Sequence, residues 1–209
     1  VSVGPDGGTH QAIEDIALMR VIPNMVVLSP CDSVEAKKAT IAAASNGKPT
    51  YIRLAREATP LITTEQTPFE IGKAYRFYEP SKLKREVLII ATGALVFNAI
   101  RVAKKYEEEG VGVVVINLPT IKPLDKETIL GAVKETNAVV TVEEHQIAGG
   151  MGSAIAEFLA QNYPVPIEFI GVNDVFGQSG KPQQLIEHYG MGEQSIYNAV
   201  HNVLRRKHD

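Results

Sequence analysis

Apolar positions change their period along the chain, and each change marks an element. VSVG at residues 1–4 is a short apolar run that predicts a strand. In QAIEDIALMRVI, Ile13, Ile16, Ala17 and Arg20 recur at helical spacing, with Glu14 and Asp15 early, where acidic side chains suit the helix dipole. MVVLSP predicts a second strand. Asp32 then reads as an N-cap, with Glu35 three residues on completing an acidic variant of the capping box, and the helix runs through EAKKATIAAAS to the turn NGKP. TYIRLA predicts a third strand. Strands separated by helix-length segments imply parallel pairing, because a parallel crossover needs a connection of that size.

From residue 57 to about 86 the rhythm breaks, with three prolines and no sustained period, as expected of a linker holding at most one or two short strands. Alternation then resumes. VLIIA is a continuous apolar run of the kind buried on both faces, followed by a helix over residues 95–109 that stops at Gly110. VGVVVIN, a helix opened by Asp125, AVVTVEE, a glycine-rich turn leading into SAIAEFLAQ, and PIEFIGV continue the pattern. GKPQQLIEHYG predicts a short helix closed by Gly190, and Ile196, Ala199, Val200, Val203 and Leu204 give the last helix one apolar face. The expected fold is α/β: two three-layer α/β/α units with mainly parallel sheets, the first incomplete. The expected division is residues 1–68, a linker at 69–86, and 87–209. No internal repeat is present.

Composition narrows the class. With 209 residues, 44% of them apolar and 22% charged, the chain can bury a real core. A net charge of -3 gives no field that favours nucleic acid or a membrane, and the basic tail Arg205, Arg206, Lys207 reads as a solvated helix end. The single cysteine, Cys31, excludes an internal disulfide framework and suits a reducing, cytoplasmic setting. No apolar stretch approaches bilayer length. The first residue is Val1 rather than Met and falls inside an expected strand, as in a piece of a longer polypeptide.

GPDGGTHQ sits between a strand and a helix, where glycines let backbone N–H groups face an anion or a developing oxyanion. A histidine on the first helical turn would have its cation disfavoured by the dipole, and neutral imidazole can donate to a carbonyl or alkoxide, as in triosephosphate isomerase. Asp6 could accept from a substrate hydroxyl. The alternative is a tight turn with Thr9 as cap and His10 merely exposed, the commoner case for the isolated pattern. Neither a dinucleotide fingerprint nor a Walker loop is present. Arg53 and Arg56 end the third strand, at the edge where α/β sheets hold ligands. Their spacing sends them to opposite faces of an extended chain, so at most one is expected in a site shared with His10. A guanidinium suits phosphate or carboxylate. Glu143, Glu144 and His145 invite a metal, but neighbours on a strand diverge and no second histidine stands at ligand spacing, which favours a structural or dimer-contact loop. Ser179, Gly180 and Lys181 could hold an anion; a plain turn is the simpler account.

Together these stretches resemble the C-terminal half of transketolase. GPDGGTHQAIEDIALMRVIPNMVVLSPCDSVEA is similar to the second half of the family's pyrimidine-binding domain; VLIIATGALV, TIKPLD, VEEHQIAGGMGSAIAE and DVFGQSGKPQQLIEHYGM resemble its C-terminal domain. The likeness covers nearly the whole chain. It implies that Asp6 contacts a substrate hydroxyl, that His10 lies near the reacting carbon of the donor, and that Arg56 binds the substrate phosphate. Arg53 has no such counterpart and reads as structural. Gly8 stands where the family usually has proline.

The family transfers a two-carbon ketol unit between phosphorylated sugars of the pentose phosphate pathway, using thiamine diphosphate and Mg²⁺. This sequence lacks the Gly-Asp-Gly segment with its asparagine and the cofactor-activating glutamate. The resemblance therefore implies a section that is inactive alone and does not bind the cofactor by itself. It would work in a homodimeric assembly with an N-terminal section carrying the diphosphate-binding domain. Alternatives are a 1-deoxyxylulose-5-phosphate synthase or 2-oxoacid dehydrogenase β chain, against which the tail FGQSGKP argues, and a non-catalytic dimerisation or regulatory module.

Overall fold

A computed structural model describes residues 1–4 and 6–208. In chain order the elements are α1 (Asp15–Val21), β1 (Val26–Leu28), α2 (Ser33–Ser45), β2 (Thr50–Ile52), β3 (Tyr75–Tyr78), β4 (Arg85–Ala91), α3 (Val96–Glu108), β5 (Gly112–Asn117), β6 (Thr120–Lys122), α4 (Lys126–Thr136), β7 (Val139–Gln146), α5 (Met151–Asn162), β8 (Ile167–Val172), α6 (Pro182–His188) and α7 (Glu193–His208). They form two sheets flanked by helices, ordered β2-β1-β6 and β3-β5-β4-β7-β8. Pairing is parallel except where β6 meets β1 and β3 meets β5.

The larger sheet is covered on both faces, as its unbroken apolar strands require. Val87, Ile89 and Ala91 of β4 face the core under α3, α6 and α7, whereas Leu88 and Ile90 face the one under α4 and α5. The same alternation splits Val113 and Val115 from Val114 and Ile116 on β5. Ile196, Ala199, Val200 and Val203 of α7 are buried, as the period predicts. At Gly110 the backbone turns to φ 83°, a left-handed conformation that ends α3 at little cost for glycine alone.

The smaller sheet is not closed by its own half of the sequence. β6, from the stretch TIKPLD, crosses over to pair with β1, a strand the apolar pattern does not announce because it is three residues long. At this junction Thr92 Oγ1 donates to Ser29 O at 3.1 Å and Leu118 O at 2.8 Å, and Ser29 N donates to Pro119 O at 2.8 Å. The sheets are thereby stitched together at the carboxyl ends of β1 and β4.

Three expectations need correction. Residues 1–4 form no strand, although Val1 is buried in the core. The first helix begins at Asp15, so His10 is not on its first turn but closes a separate 3-10 turn, Gly8–His10. β2 ends at Ile52, leaving residues 53–56 irregular.

The N-terminus of α2 is built as the sequence implies, with one shift. Asp32 Oδ1 accepts from Glu35 N at 2.9 Å, but the returning Glu35 carboxylate takes Cys31 N at 2.7 Å, one residue earlier than a standard capping box. The other Glu35 oxygen accepts from Asn117 Nδ2 at 2.7 Å, tying α2 to β5. Burial pushes the Glu35 carboxyl and the Cys31 thiol up. Asp32 also receives Ile62 N at 2.8 Å, Thr63 N at 2.6 Å and Thr63 Oγ1 at 2.6 Å. Burial opposes ionisation there, but these donors together hold the carboxyl below its usual range. Asp32→Ala strands several donors at once, so urea unfolding is expected to show a loss of about 2 kcal/mol. Among the described residues no helix is long and apolar enough to cross a membrane.

Candidate active site

The carboxyl ends of β1, β2 and β4 open onto a cavity of about 340 Å³, at the sheet edge where α/β folds hold ligands. His10, Tyr51, Arg53, Arg56, Thr92 and Glu144 are among its walls. Each arrives by a different route. His10 comes from the 3-10 turn, the two arginines from the irregular run after β2, Thr92 from the end of β4 and Glu144 from β7.

Both arginines border the cavity, which corrects the expectation that only one would. Strict alternation holds within a strand, and these residues lie beyond the end of one. Their roles differ. Arg53 spends its donors inside the protein: Nη2 donates to Ala12 O at 2.6 Å, Nη1 to Glu144 O, and Nε faces Asp15 Oδ2 at 3.3 Å. These contacts tie loops together and leave it a structural part. Arg56 is largely exposed and its Nη1 pairs with Asp6 Oδ2. The Asp6 and Arg56 side chains therefore meet each other at the cavity rim.

His10 Nδ1 lies 3.0 Å from Thr9 Oγ1, and among the described residues its Nε2 makes no hydrogen bond. A backbone kept close by glycine presents it. A Cβ on Gly8 would lie 2.6 Å from Gly177 O, so the loop at residues 6–11 can approach the loop at 174–180 only without a side chain there. Gln11 Nε2 fastens the two loops by donating to Gln178 O at 2.9 Å. Ser179 lies beside Gly7 in this loop contact, and Gly180 packs against Leu185.

Tyr51 and Asp15 give no sign in the sequence that they belong to a site. Tyr51 Oη donates to Asp15 Oδ2 at 2.7 Å, and burial, then the neighbouring carboxylate, push its phenol up to about 12. An acid in the first turn of a helix looks like a dipole partner, and nothing local shows that it faces a cavity.

The cluster at residues 143–145 is occupied internally. Glu143 accepts from Met151 N at 2.7 Å and Gly152 N at 2.8 Å, capping α5 across the chain. His145 Nδ1 donates to Gln146 O at 2.7 Å and its Nε2 accepts from Ala17 N at 3.3 Å, which fixes one neutral tautomer; burial lowers its pKa. Glu144 accepts from Ser2 N at 2.6 Å and Ser2 Oγ at 2.8 Å. Among the described residues no three His, Cys, Asp or Glu side chains gather in a way that could hold a metal ion.

Comparison with known proteins converges on one family. The model of the transketolase pyrimidine-binding domain matches residues 1–61, and that of the transketolase C-terminal domain matches residues 79–196. The chain is 40% identical, over 97% of its length, to the 6-deoxy-6-sulfo-D-fructose transketolase subunit of Clostridium sp. strain MSTE9, covering 62% of that protein. It is also 40% identical, over 99% of its length, to a chain of Methanocaldococcus jannaschii named as a transketolase C-terminal section, covering 64% of it. The solved inactive β4 tetramer of a split-gene transketolase superposes with a TM-score of 0.90 and 41% identity, over 96% of this chain and 65% of that one. The chain thus spans a little under two thirds of the length of these three relatives. A fold that matches at that level, with both domain models in their expected order, places the chain in the transketolase family, as its C-terminal section.

Proposed function

We propose that this chain supplies the substrate-binding wall of a transketolase that moves a two-carbon ketol unit between phosphorylated sugars. The observation that carries the reading is that His10 and Arg56, far apart in sequence, line one cavity, with Asp6 paired to Arg56. His10 presents Nε2 to a substrate oxygen and stabilises charge that develops on it. Arg56 is the anion anchor. A phosphate arriving at Arg56 competes with Asp6, and the released carboxylate is then able to accept from a substrate hydroxyl.

Thiamine diphosphate and Mg²⁺ belong, in this reading, to an N-terminal section, because this sequence lacks the Gly-Asp-Gly segment with its asparagine. The chain alone is inactive. Its assembly is a cytoplasmic homodimer of such pairs, supported by an exposed apolar strip on and after α1: Leu18, Val21 and Ile22 are 60%, 78% and 38% exposed. A strict monomer at micromolar concentration by analytical ultracentrifugation would count against that part.

Arg56 tests the substrate class. In a reconstituted assembly, Arg56→Ala is expected to raise KM for xylulose 5-phosphate and ribose 5-phosphate by about 10- to 100-fold with kcat little changed. The sulfosugar named for one relative makes a sulfonate the competing anion, so 6-deoxy-6-sulfofructose belongs in the same assay. Turnover of pyruvate in place of the sugar phosphates would overturn the reading.

A further inference from the structure

Among the described residues the His10 ring is hydrogen-bonded only to the adjacent Thr9 hydroxyl, at 3.0 Å, so the backbone of the turn that carries it decides where the imidazole stands. That turn is three residues long and rests on the loop at residues 174–180, which follows β8 of the larger sheet. A Cβ on Gly7 would lie 2.5 Å from Ser179 Oγ and one on Gly8 2.6 Å from Gly177 O, while Gln11 Nε2 donates to Gln178 O at 2.9 Å. The seat beneath the histidine is irregular chain with no strand or helix to hold it. Whatever fixes that loop therefore fixes His10.

Gln146, the last residue of β7, grips the loop where it begins: Oε1 accepts from Asp174 N at 3.0 Å and Nε2 donates to Val175 O at 2.8 Å. Asp174 stands at φ 53°, a left-handed conformation that a residue other than glycine seldom adopts, so the bend needs support from outside, and the Gln146 amide supplies it. Tyr189 Oη adds a further hold by donating to Phe176 O at 3.0 Å. Gln146 also reaches the histidine segment directly. Its backbone N donates to Ile13 O at 2.8 Å, just before α1 begins. One residue thus fastens the supporting loop with its side chain and the far end of the histidine segment with its main chain, yet it does not itself line the cavity.

We infer that Gln146 is a positioning residue for the reaction: its side-chain amide holds the 174–180 loop as the seat of the histidine turn and so sets where His10 presents Nε2. The inference rests on the reading of His10 as the group that stabilises charge on a substrate oxygen, and it gives the unit built on the larger sheet a part in the chemistry. Misplacing a reacting group by about 1 Å costs on the order of 100-fold in rate. Loss of the Gln146 amide leaves the Tyr189 and Gln11 contacts in place, so the seat relaxes rather than disappears and a smaller loss is expected.

Gln146→Met keeps the length of the side chain and removes both of its hydrogen bonds. In the assembly reconstituted with an N-terminal transketolase section it is expected to lower kcat for two-carbon transfer about tenfold, with KM for xylulose 5-phosphate within about twofold of wild type. In a His10→Ala background the same substitution is expected to change kcat by less than about twofold, because its effect passes through His10. Gly177→Ala, whose Cβ would strike Gln11 Oε1, loosens the same seat without altering Gln146 and is expected to give the same pattern even where Gln146→Met folds poorly. In the isolated chain, hydrogen exchange of the His10 and Gln11 amides, which donate to Gly7 O and Gly8 O within the turn, is expected to quicken about fivefold in Gln146→Met. Full rate in folded Gln146→Met and Gly177→Ala enzymes, a tenfold loss that persists undiminished without His10, or unchanged amide exchange overturns the assignment of Gln146. Normal turnover in His10→Ala overturns instead the reading of the site on which that assignment rests.

Discussion

His10→Ala is expected to lower kcat/KM of the reconstituted transferase by about 10²- to 10³-fold, the range found when one donor to a developing oxyanion is removed. The size follows from what the side chain does in the fold, which is little. Its hydrogen-bonding contact is with the adjacent Thr9 hydroxyl, and it lies exposed on a 3-10 turn outside the cores. Removing it should leave the thermal midpoint unchanged, so lost rate reports lost transition-state stabilisation rather than unfolding. His10→Gln keeps an N–H donor without the imidazole and should recover part of the rate. Normal kinetics in His10→Ala would remove this residue from the chemistry.

Glu143→Ala is expected to produce the largest loss of stability, about 3–4 kcal/mol in urea unfolding, with no direct effect on the cavity. The carboxylate is buried and caps the first backbone N–H groups of α5; its removal leaves two buried donors unsatisfied and a void beside Gly150. The same residue gives a pH signature. Burial raises its pKa from 4.5 to about 7, so the folded state holds the proton more tightly than the unfolded one. Its contribution is therefore largest below about 4.5 and declines as pH rises towards about 7, by roughly 1.4 kcal/mol per unit. Carboxyls held low, such as Asp32, act in the opposite sense but cancel when wild type is compared with Glu143→Gln. The advantage of wild type over that variant should shrink from about pH 5 to about pH 7.5. A constant difference across that window would show that Glu143 does not titrate there.

The sequence disclosed those parts of the fold that depend on short-range rules. Asp32 and Asp125 cap their helices through Glu35 N and Thr128 N, and Gly110 and Gly190 take positive φ at helix ends, because capping and left-handed turns are decided within a few residues. The apolar face of α7 is equally plain in the sequence. What stays hidden depends on the partner an element finds. β6 is too short to carry a pattern and is recognised as a strand only by its pairing with β1. Glu143 resembles a metal ligand or a loop residue in one dimension, and only the N-terminus of α5 folded around it shows otherwise. Arg53 and Arg56 are separated by a rule for strands that ends one residue before the first of them. Asp15, placed early in a helix, gives no sign that its carboxylate is held by Tyr51 and Arg53 from outside that helix.

The site is legible in the sequence as residues rather than as an arrangement. GPDGGTHQ and the LAR segment point to His10, Asp6 and Arg56 through resemblance; that His10 and Arg56 line one cavity, with Asp6 paired to Arg56, follows from the junction between two sheets, and no spacing in the sequence reports it.

The central claim, that this chain forms one wall of a ketol-transferring site completed elsewhere, is tested most directly by mixing. The purified chain is combined with an N-terminal transketolase section, thiamine diphosphate and Mg²⁺, and two-carbon transfer from xylulose 5-phosphate to ribose 5-phosphate is followed. The expected result is transfer by the mixture, none by either component alone, and loss of the signal when His10→Ala replaces the wild-type chain. Transfer that proceeds equally well without this chain, or with the His10→Ala chain in its place, would contradict the account.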